Sequence, residues 1–273
     1  MCNSLDEVKR LAARFEVSAA FVINHSGGKD STRMLGFVRE GFPDAAIFAV
    51  MADTGFEHQR PVSAVEFARN RCTDVDVQLT VVRNPRRTYL EMVEQRGMFP
   101  SAQYRQCTSD LKRGPIEKFI RKLPFRLIFN CMGIRAEESP PRSKLQPLLL
   151  NSSLTTQTRT VYNWFPIFDQ TLSDVLAWHW NTSTPLHPVY VPEFHIDGTT
   201  GGYLRRLSCR LCIFSTDSDL LAIRQHDPDA FYAVAELERK TGFTMRSTGS
   251  LVQITNAAQA DGESRNMQAC LPF

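Results

Sequence analysis

The chain has 273 residues, 42% hydrophobic and 22% charged, with a formal net charge of +3. That length allows one large domain or two small ones around a substantial core, and so small a net charge does not by itself argue for nucleic-acid binding. No apolar run approaches the ~18 residues of a membrane span. Met1–Asp6 lacks the basic-then-apolar order of a signal peptide, so the expectation is a cytoplasmic enzyme. The seven cysteines are scattered apart from one pair, which suits reduced thiols or a metal site better than a disulfide framework.

Residues 5–17 place Leu5, Val8, Leu11, Ala12 and Phe15 at helical spacing and predict an N-terminal helix. A strand at 19–25 follows, then the turn Ser26-Gly27-Gly28-Lys29-Asp30-Ser31-Thr32, then a helix to about Glu40 that Gly41-Phe42-Pro43-Asp44 stops. Ala45–Met51 reads as a buried strand, 58–71 as a helix and Val75–Val82 as a third strand. Helices are expected at 87–95 and 114–122, strands at Leu127–Gly133 and Val161–Phe165, and a helix across Thr171–Trp180. Between 215 and 240 two short helices break near Asp227-Pro228, and the last thirty residues read as a polar, irregular tail. The β-α-β-α-β order predicts an α/β domain whose parallel sheet carries helices on both faces. The expected division is 1–214 for this domain and 215–273 for a C-terminal helical extension and tail.

The turn at 26–32 carries the clearest chemistry. Gly27 and Gly28 let the backbone turn sharply and expose successive N–H groups, Ser26, Ser31 and Thr32 add hydroxyls, and the following helix adds the positive end of its dipole. Such a cradle suits a di-anion such as pyrophosphate. The spelling differs from the Walker loop and from the Gly-x-Gly-x-x-Gly dinucleotide turn.

Other candidates fall where a parallel sheet binds its ligands, beyond the C-terminal ends of strands. Asp53, in Asp53-Thr54-Gly55-Phe56-Glu57, reads either as a magnesium or sugar ligand or as a helix N-cap. Arg135, in Gly133-Ile134-Arg135-Ala136-Glu137-Glu138-Ser139 with Arg142 beyond it, can grip phosphate oxygens or pair with Glu137 or Glu138. In Arg105–Pro115, Thr108 or Ser109 can cap a helix and Lys112 can reach an anion. Cys209-Arg210-Leu211-Cys212 is a C-x-x-C pair without the second pair that would make a strong zinc signal. Cys107, Cys209 and Cys212 form the plausible metal set, with Cys131 as a fourth or as core; three thiolates suit a four-iron cluster or zinc. The basic clusters Arg83/Arg86/Arg87, Lys112/Arg113 and Arg205/Arg206/Arg210 read as solvated faces or as a polyanion surface.

Ser26–Thr32 resembles the PP-loop of the ATP pyrophosphatases, which split ATP between its α and β phosphates. With Asp53-Thr54-Gly55, Arg105–Pro115, Gly133–Ser139, Phe165-Pro166-Ile167 and Asp174-Val175, residues 18 to 214 resemble the phosphoadenosine-phosphosulfate-reductase family of that superfamily. The resemblance implies a Rossmann-like fold of the adenine nucleotide alpha hydrolase type. It implies ATP and Mg2+ as ligands, with Ser26, Gly27, Gly28, Ser31 and Thr32 around the leaving pyrophosphate. Lys29 and Arg135 would stabilise its charge, Asp30 and Asp53 would position the metal, and Lys112 and Arg142 would bind anionic groups. The C-terminal Glu-Cys-Gly-(Ile/Leu)-His motif of the true reductases is absent, and Cys270 is a poor substitute. The loop looks instead like that of ATP-using members, such as the ATP sulfurylase small subunit and the DndC-type protein of DNA phosphorothioation. Cys107, Cys209 and Cys212 are similar to the cysteines of iron–sulfur members, although Gln106 stands where those carry a Cys-Cys pair. The implied function is adenylation of an acceptor, DNA or another nucleic acid among the candidates, for displacement by sulfur from a donor such as a cysteine desulfurase. A homo-oligomer or a multi-protein modification complex would be the setting. Reduction of an adenylylated sulfate and non-catalytic nucleotide binding are the alternatives.

Overall fold

Uninterrupted apolar runs make the central strands, because a strand covered on both faces has no solvent side to alternate with. In the computed structural model, which describes residues 4–14, 19–59, 62–196, 200–207 and 209–269, these are β1 (Ala19–Asn24), β2 (Ala46–Asp53) and β4 (Leu127–Cys131). With β3 (Leu79–Arg83), β5 (Leu148–Leu150) and β6 (Thr160–Trp164) they form a six-stranded sheet in the order β3-β2-β1-β4-β6-β5. Every pairing is parallel except β5 with β6. The expected Rossmann-like α/β class is the one observed.

Strand alternation splits the core. Phe21 and Ile23 of β1 face one layer with Met34, Leu35, Phe129 and Trp164, while Ala20 and Val22 face the other with Val50, Ile128 and Ile120. The Phe21 and Phe129 rings stack at 5.1 Å, and Phe129 meets Tyr162 at 5.9 Å, locking β1, β4 and β6 in register. A ladder of amides crosses the same strands: Asn24 Nδ2 donates to Asn130 Oδ1 at 2.7 Å, and Asn130 Nδ2 to Asn163 Oδ1 at 2.9 Å. Partnered in this way, buried amides specify one register instead of costing stability.

Helices α1 (Ser4–Arg14), α2 (Lys29–Gly41), α3 (Ala64–Thr73) and α8 (Leu172–Asn181) accompany the sheet, with α6 (Gly114–Lys122) placing Ile120 on the opposite layer. A separate apolar cluster joins Phe56, α4 (Tyr89–Arg96) and Leu111 to α9 (Asp217–His226), α10 (Pro228–Thr241) and α11 (Leu251–Ala269).

Several sequence expectations need correction. The last thirty residues are not an irregular tail, since α11 is helical from Leu251 to Ala269. Over 251–260 the buried residues are Leu251, Ile254 and Thr255, too short a stripe to show periodicity, and the buried Glu238 carboxylate receives the Met245 and Leu251 N–H groups at 2.8 and 2.9 Å. Thr108 and Ser109 do not cap a helix. They lie inside a helical run made of α5 (Gln106–Thr108), a π-helical turn (Ser109–Arg113) and α6. The helix expected at 58–71 begins at Ala64, because Glu57 bridges Cys209 and the His58 carbonyl accepts the Ala64 N–H. The strand expected at Val75–Val82 runs from Leu79 to Arg83, and β5 is a three-residue edge strand too short to leave a pattern.

Burial keeps three histidines neutral. It lowers the pKa of His25 to about 3, aided by the Arg71 guanidinium, and those of His58 and His187 to about 4. Each must take up a proton on unfolding, so its contribution is full above the unfolded value of 6.5 and is lost as pH falls toward the folded value. Glu57, raised to about 7 by burial and by Asp53, acts in the opposite sense: its contribution is full below 4.5 and is lost as pH rises toward 7. The histidines outnumber it. We expect urea-denaturation stability to fall from pH 7 to pH 5, each histidine contributing up to about 1.4 kcal/mol per pH unit. A flat or rising profile would contradict their buried neutral state.

Candidate nucleotide and thiol site

The sheet's strand order reverses at β1, whose neighbours are β2 on one side and β4 on the other. The turns after β1 and β4 therefore meet at a topological switch point, where open α/β sheets bind ligands. Gly133, just beyond β4, approaches the loop so closely that a Cβ there would lie 3.2 Å from the Asp30 carbonyl carbon and oxygen.

The loop after β1 is braced from within. Gly27 adopts φ +77°, and a Cβ on it would meet the Ala64 carbonyl oxygen at 2.9 Å. The Gly27 N–H donates to His25 Nδ1 at 3.1 Å, and the Ser26 N–H to Ser31 Oγ at 3.2 Å. Ser31 Oγ and Thr32 Oγ1 both donate to the Gly28 carbonyl, at 2.8 and 3.1 Å. These two hydroxyls shape the loop. Gly28 caps α2 without any side-chain bond, leaving the first turn of the helix open to an anion.

Asp30 ties this loop to the β4 turn. Lys29 Nζ reaches one of its oxygens at 2.8 Å and Arg135 Nε the other at 2.7 Å. Burial alone would raise the Asp30 pKa, but Lys29 and Arg135 hold it below the usual carboxylate range. Arg135 also donates to Glu137 at 2.5 Å, while Glu138 pairs with Arg142 and, at 3.7 Å, with Arg206. Arg135 is thus a buried bridge, 5% exposed, and not a surface arginine.

A cavity of about 620 Å³ opens over this switch point. Of the residues singled out from the sequence, Ser26, Gly28, Lys29, Asp30, Arg142 and Cys212 line it. Gly27, Ser31, Thr32, Asp53, Lys112, Arg135, Cys107 and Cys209 are not among its lining residues. Asp53 is enclosed in its own turn, bonded by the Gly55 N–H at 2.7 Å and by Arg83 Nε at 2.7 Å, and it caps no helix. Those bonds and one from Glu57 keep its pKa low against the effect of burial.

The structure gathers Cys107, Cys209 and Cys212 near one another and near Tyr89 and Lys112. Burial pushes the Cys107 and Cys212 thiols up, and the neighbouring sulfurs add to the effect. Lys112 bonds to Cys209, which raises its pKa despite burial, and it also senses Glu57. Three soft thiols are the right chemistry for an iron–sulfur cluster or zinc. Among the described residues, however, no three Cys, His, Asp or Glu side chains converge closely enough to hold a metal ion. Cys131 is core: it is wholly buried in β4 and its Sγ donates to the Phe129 carbonyl at 3.5 Å. Cys270 lies outside the described residues.

Among the lining residues not chosen as site residues from the sequence are Glu138, Tyr190, Arg105 and Phe214. Tyr190 belongs to a loop without a motif. Its only written signal is Gly202, where a Cβ would fall 1.6 Å from the Tyr190 carbonyl oxygen. Arg105 sits over the Phe214 ring at 5.7 Å, a pairing of residues 109 positions apart in the chain (214 − 105).

Fold and site define an α/β protein in which the glycine loop after β1 and the thiol of Cys212 line one cavity. The chain belongs to the phosphoadenosine phosphosulfate reductase domain family, which it matches over residues 20–212. It is 24% identical over 271 residues to an uncharacterized 37.8 kDa protein of Escherichia phage 186, covering 82% of this chain and 76% of the phage protein. It is also 24% identical over 215 residues to the uncharacterized protein MJ0066 of Methanocaldococcus jannaschii, covering 78% of this chain but only 40% of that relative. Among solved structures it resembles the phosphoadenylyl-sulfate reductase of Candida auris in its phosphate complex (TM-score 0.44, 12% identity, 67% of this chain and 81% of that one). It also resembles the U34-tRNA thiolase NcsA of Methanococcus maripaludis with its [4Fe-4S] cluster (TM-score 0.47, 15% identity, 87% and 80%). At these scores the structural likenesses carry no functional weight.

The Asp30–Arg135 bridge has a direct test. Arg135→Met leaves Asp30 and Glu137 without their shared partner, and removing one member of a buried pair costs about 3 kcal/mol. We expect a loss of that order in chemical denaturation, whereas unchanged stability would mean the bridge does not join the two turns.

Proposed function

We propose that the protein binds Mg-ATP at Ser26–Thr32 and splits it between the α and β phosphates, adenylating an acceptor that sulfur then attacks. The observation that carries this reading is the shared cavity: Ser26, Gly28 and Lys29 of the anion loop line it together with Cys212. A site for phosphate alone would not need a thiol in the same space.

In this reading the acceptor oxygen attacks the α-phosphorus, the bond to the β-phosphate breaks, and pyrophosphate leaves toward the open first turn of α2. Lys29 stands at that turn as a compensating cation, and Asp30, whose oxygens are held by Lys29 and Arg135, is the carboxylate that would hold the Mg2+ accompanying ATP once one of those cations turns to phosphate. A sulfur nucleophile next displaces AMP from the acceptor. Cys212 is the thiol placed to present it, with Cys209 and Lys112 behind. Cys107, Cys209 and Cys212 are the residues that would have to draw together to hold an iron–sulfur cluster or zinc, which when bound would supply a Lewis-acid position for sulfur.

The acceptor we favour is DNA or another nucleic acid. Arg105, Arg142 and Arg206 line the cavity with the exposed aromatic Phe214, a combination suited to phosphates and a base. Phosphorothioate modification of DNA, with a cysteine desulfurase as sulfur source, fits that surface and the loop's spelling.

Labelled ATP, incubated with and without DNA, should yield AMP and pyrophosphate; ADP and phosphate as products would sink the assignment. Cys212→Ser should lose sulfur incorporation at least tenfold in an assay supplied with a cysteine desulfurase, cysteine and a reducing thiol, in which Cys212 receives persulfide sulfur and the reductant cleaves the disulfide left on the acceptor; full incorporation would remove this thiol from the mechanism. Anaerobic purification with metal analysis and a visible spectrum should show iron or zinc that falls when Cys107 or Cys209 is replaced by Ser. Metal-free, colourless protein would refute the cofactor.

A further inference from the structure

The phosphate loop is held by a residue from a distant part of the chain. The Lys29 N–H donates to Tyr190 Oη at 3.0 Å, and the Leu207 main chain lies beside the same oxygen. On the other side of Lys29, its carbonyl faces His179 Nε2 at 3.0 Å. A Cβ on Gly28 would lie 3.2 Å from Tyr190 Oη and 3.4 Å from Ser26 Oγ, so two hydroxyls flank that glycine. Both side chains belong to residues that line the cavity. Tyr190 is 1% exposed, and its backbone is held by a bridge to Leu204 and by the close approach of Gly202.

A phenol oxygen accepts through two lone pairs and donates one proton. The Lys29 main-chain N–H already occupies Tyr190 Oη, and among the described residues no acceptor takes its proton. Among the described residues the O–H therefore has no acceptor, although its oxygen stands on the loop. A buried donor left in that state is costly unless a ligand completes it.

We propose that Tyr190 is a phosphate-binding residue of this site, its hydroxyl donating to an oxygen of the pyrophosphate group seated on Ser26–Thr32. The ligand class is a pyrophosphate, free or as the β,γ half of a nucleoside triphosphate, and the inference rests on the reading of this loop given above. Tyr190 thereby has two roles at one atom. It accepts the Lys29 N–H, fixing the loop, and it donates to the anion that the loop receives. It also links the loop to the segment around Leu207, just before the thiol pair at Cys209 and Cys212.

Calorimetric titration of Tyr190→Phe with inorganic pyrophosphate, and separately with AMP, tests this. A hydrogen bond to a charged partner corresponds to a loss of about 10- to 100-fold. We expect that loss for pyrophosphate, with AMP affinity within about twofold of wild type. Unchanged pyrophosphate affinity overturns the proposal. Equal weakening of both ligands overturns it too, since Tyr190 would then be only an anchor. Wild-type protein that binds AMP but not pyrophosphate instead removes the phosphate-loop reading, and Tyr190's role with it. Should the variant not fold, [13Cζ]tyrosine placed at position 190 leaves the side chain unaltered. Its Cζ resonance should move on adding pyrophosphate to the full chain, and a resonance that stays in place overturns the proposal.

Discussion

The Asp30 carboxylate is the constraint on which the site depends. It sits in the first turn of α2, yet its two oxygens belong to two other groups: Lys29 at 2.8 Å and Arg135 at 2.7 Å. Since Arg135 follows β4, this ion pair closes the gap between the two strands at which the sheet order reverses. Gly133 lets the backbones come close enough for it, because any side chain there would press on Asp30. Buried charges of this kind are maintained only where each is matched, and the chain of partners continues outward through Glu137. The loop is consequently preorganised: its hydroxyls and charges are bonded inward while the helix N-terminus stays open.

A second connection runs from the strand-end turn after β2 toward the thiols. Glu57 accepts the Thr54 N–H and hydroxyl at 3.0 and 2.7 Å, and its backbone bridges Cys209. Lys112, from the π-helical turn, lies between the Glu57 carboxylate and the Cys209 sulfur. The π turn inserts an extra residue into the run from Gln106 to Lys122, a device that often marks a functional position in a helix. The helices α9, α10 and α11 back this region through the same apolar cluster as Tyr89, Phe56 and Leu111. The C-terminal segment therefore buttresses the thiol side of the cavity.

Much of the centre was legible because it is local. An apolar run such as Phe21-Val22-Ile23 followed by Ser26–Thr32 states strand, turn and helix within fifteen residues, and the period of each is written in the sequence. What escaped was weakly patterned or long-range. The helix α11 hides behind polar residues because over 251–260 it buries no more than Leu251, Ile254 and Thr255. Thr108 and Ser109 look like caps, yet the helix passes through them. Asp53 looks like a ligand, and only its contact with Arg83, thirty residues away, shows that it is occupied within the fold.

The sequence by itself determined the α/β order, the anion loop and the membership of a family, since hydrophobic period and glycine turns act over a few residues. Only the tertiary structure decided which groups line the cavity. Arg135 and Lys112 were drawn inward by carboxylate and sulfur partners, Cys212 came into the cavity with the phosphate loop, and Tyr190 arrived 161 residues after Lys29 to accept its N–H. Direction and partnership of a side chain depend on what the fold sets opposite it, and no local spacing encodes that.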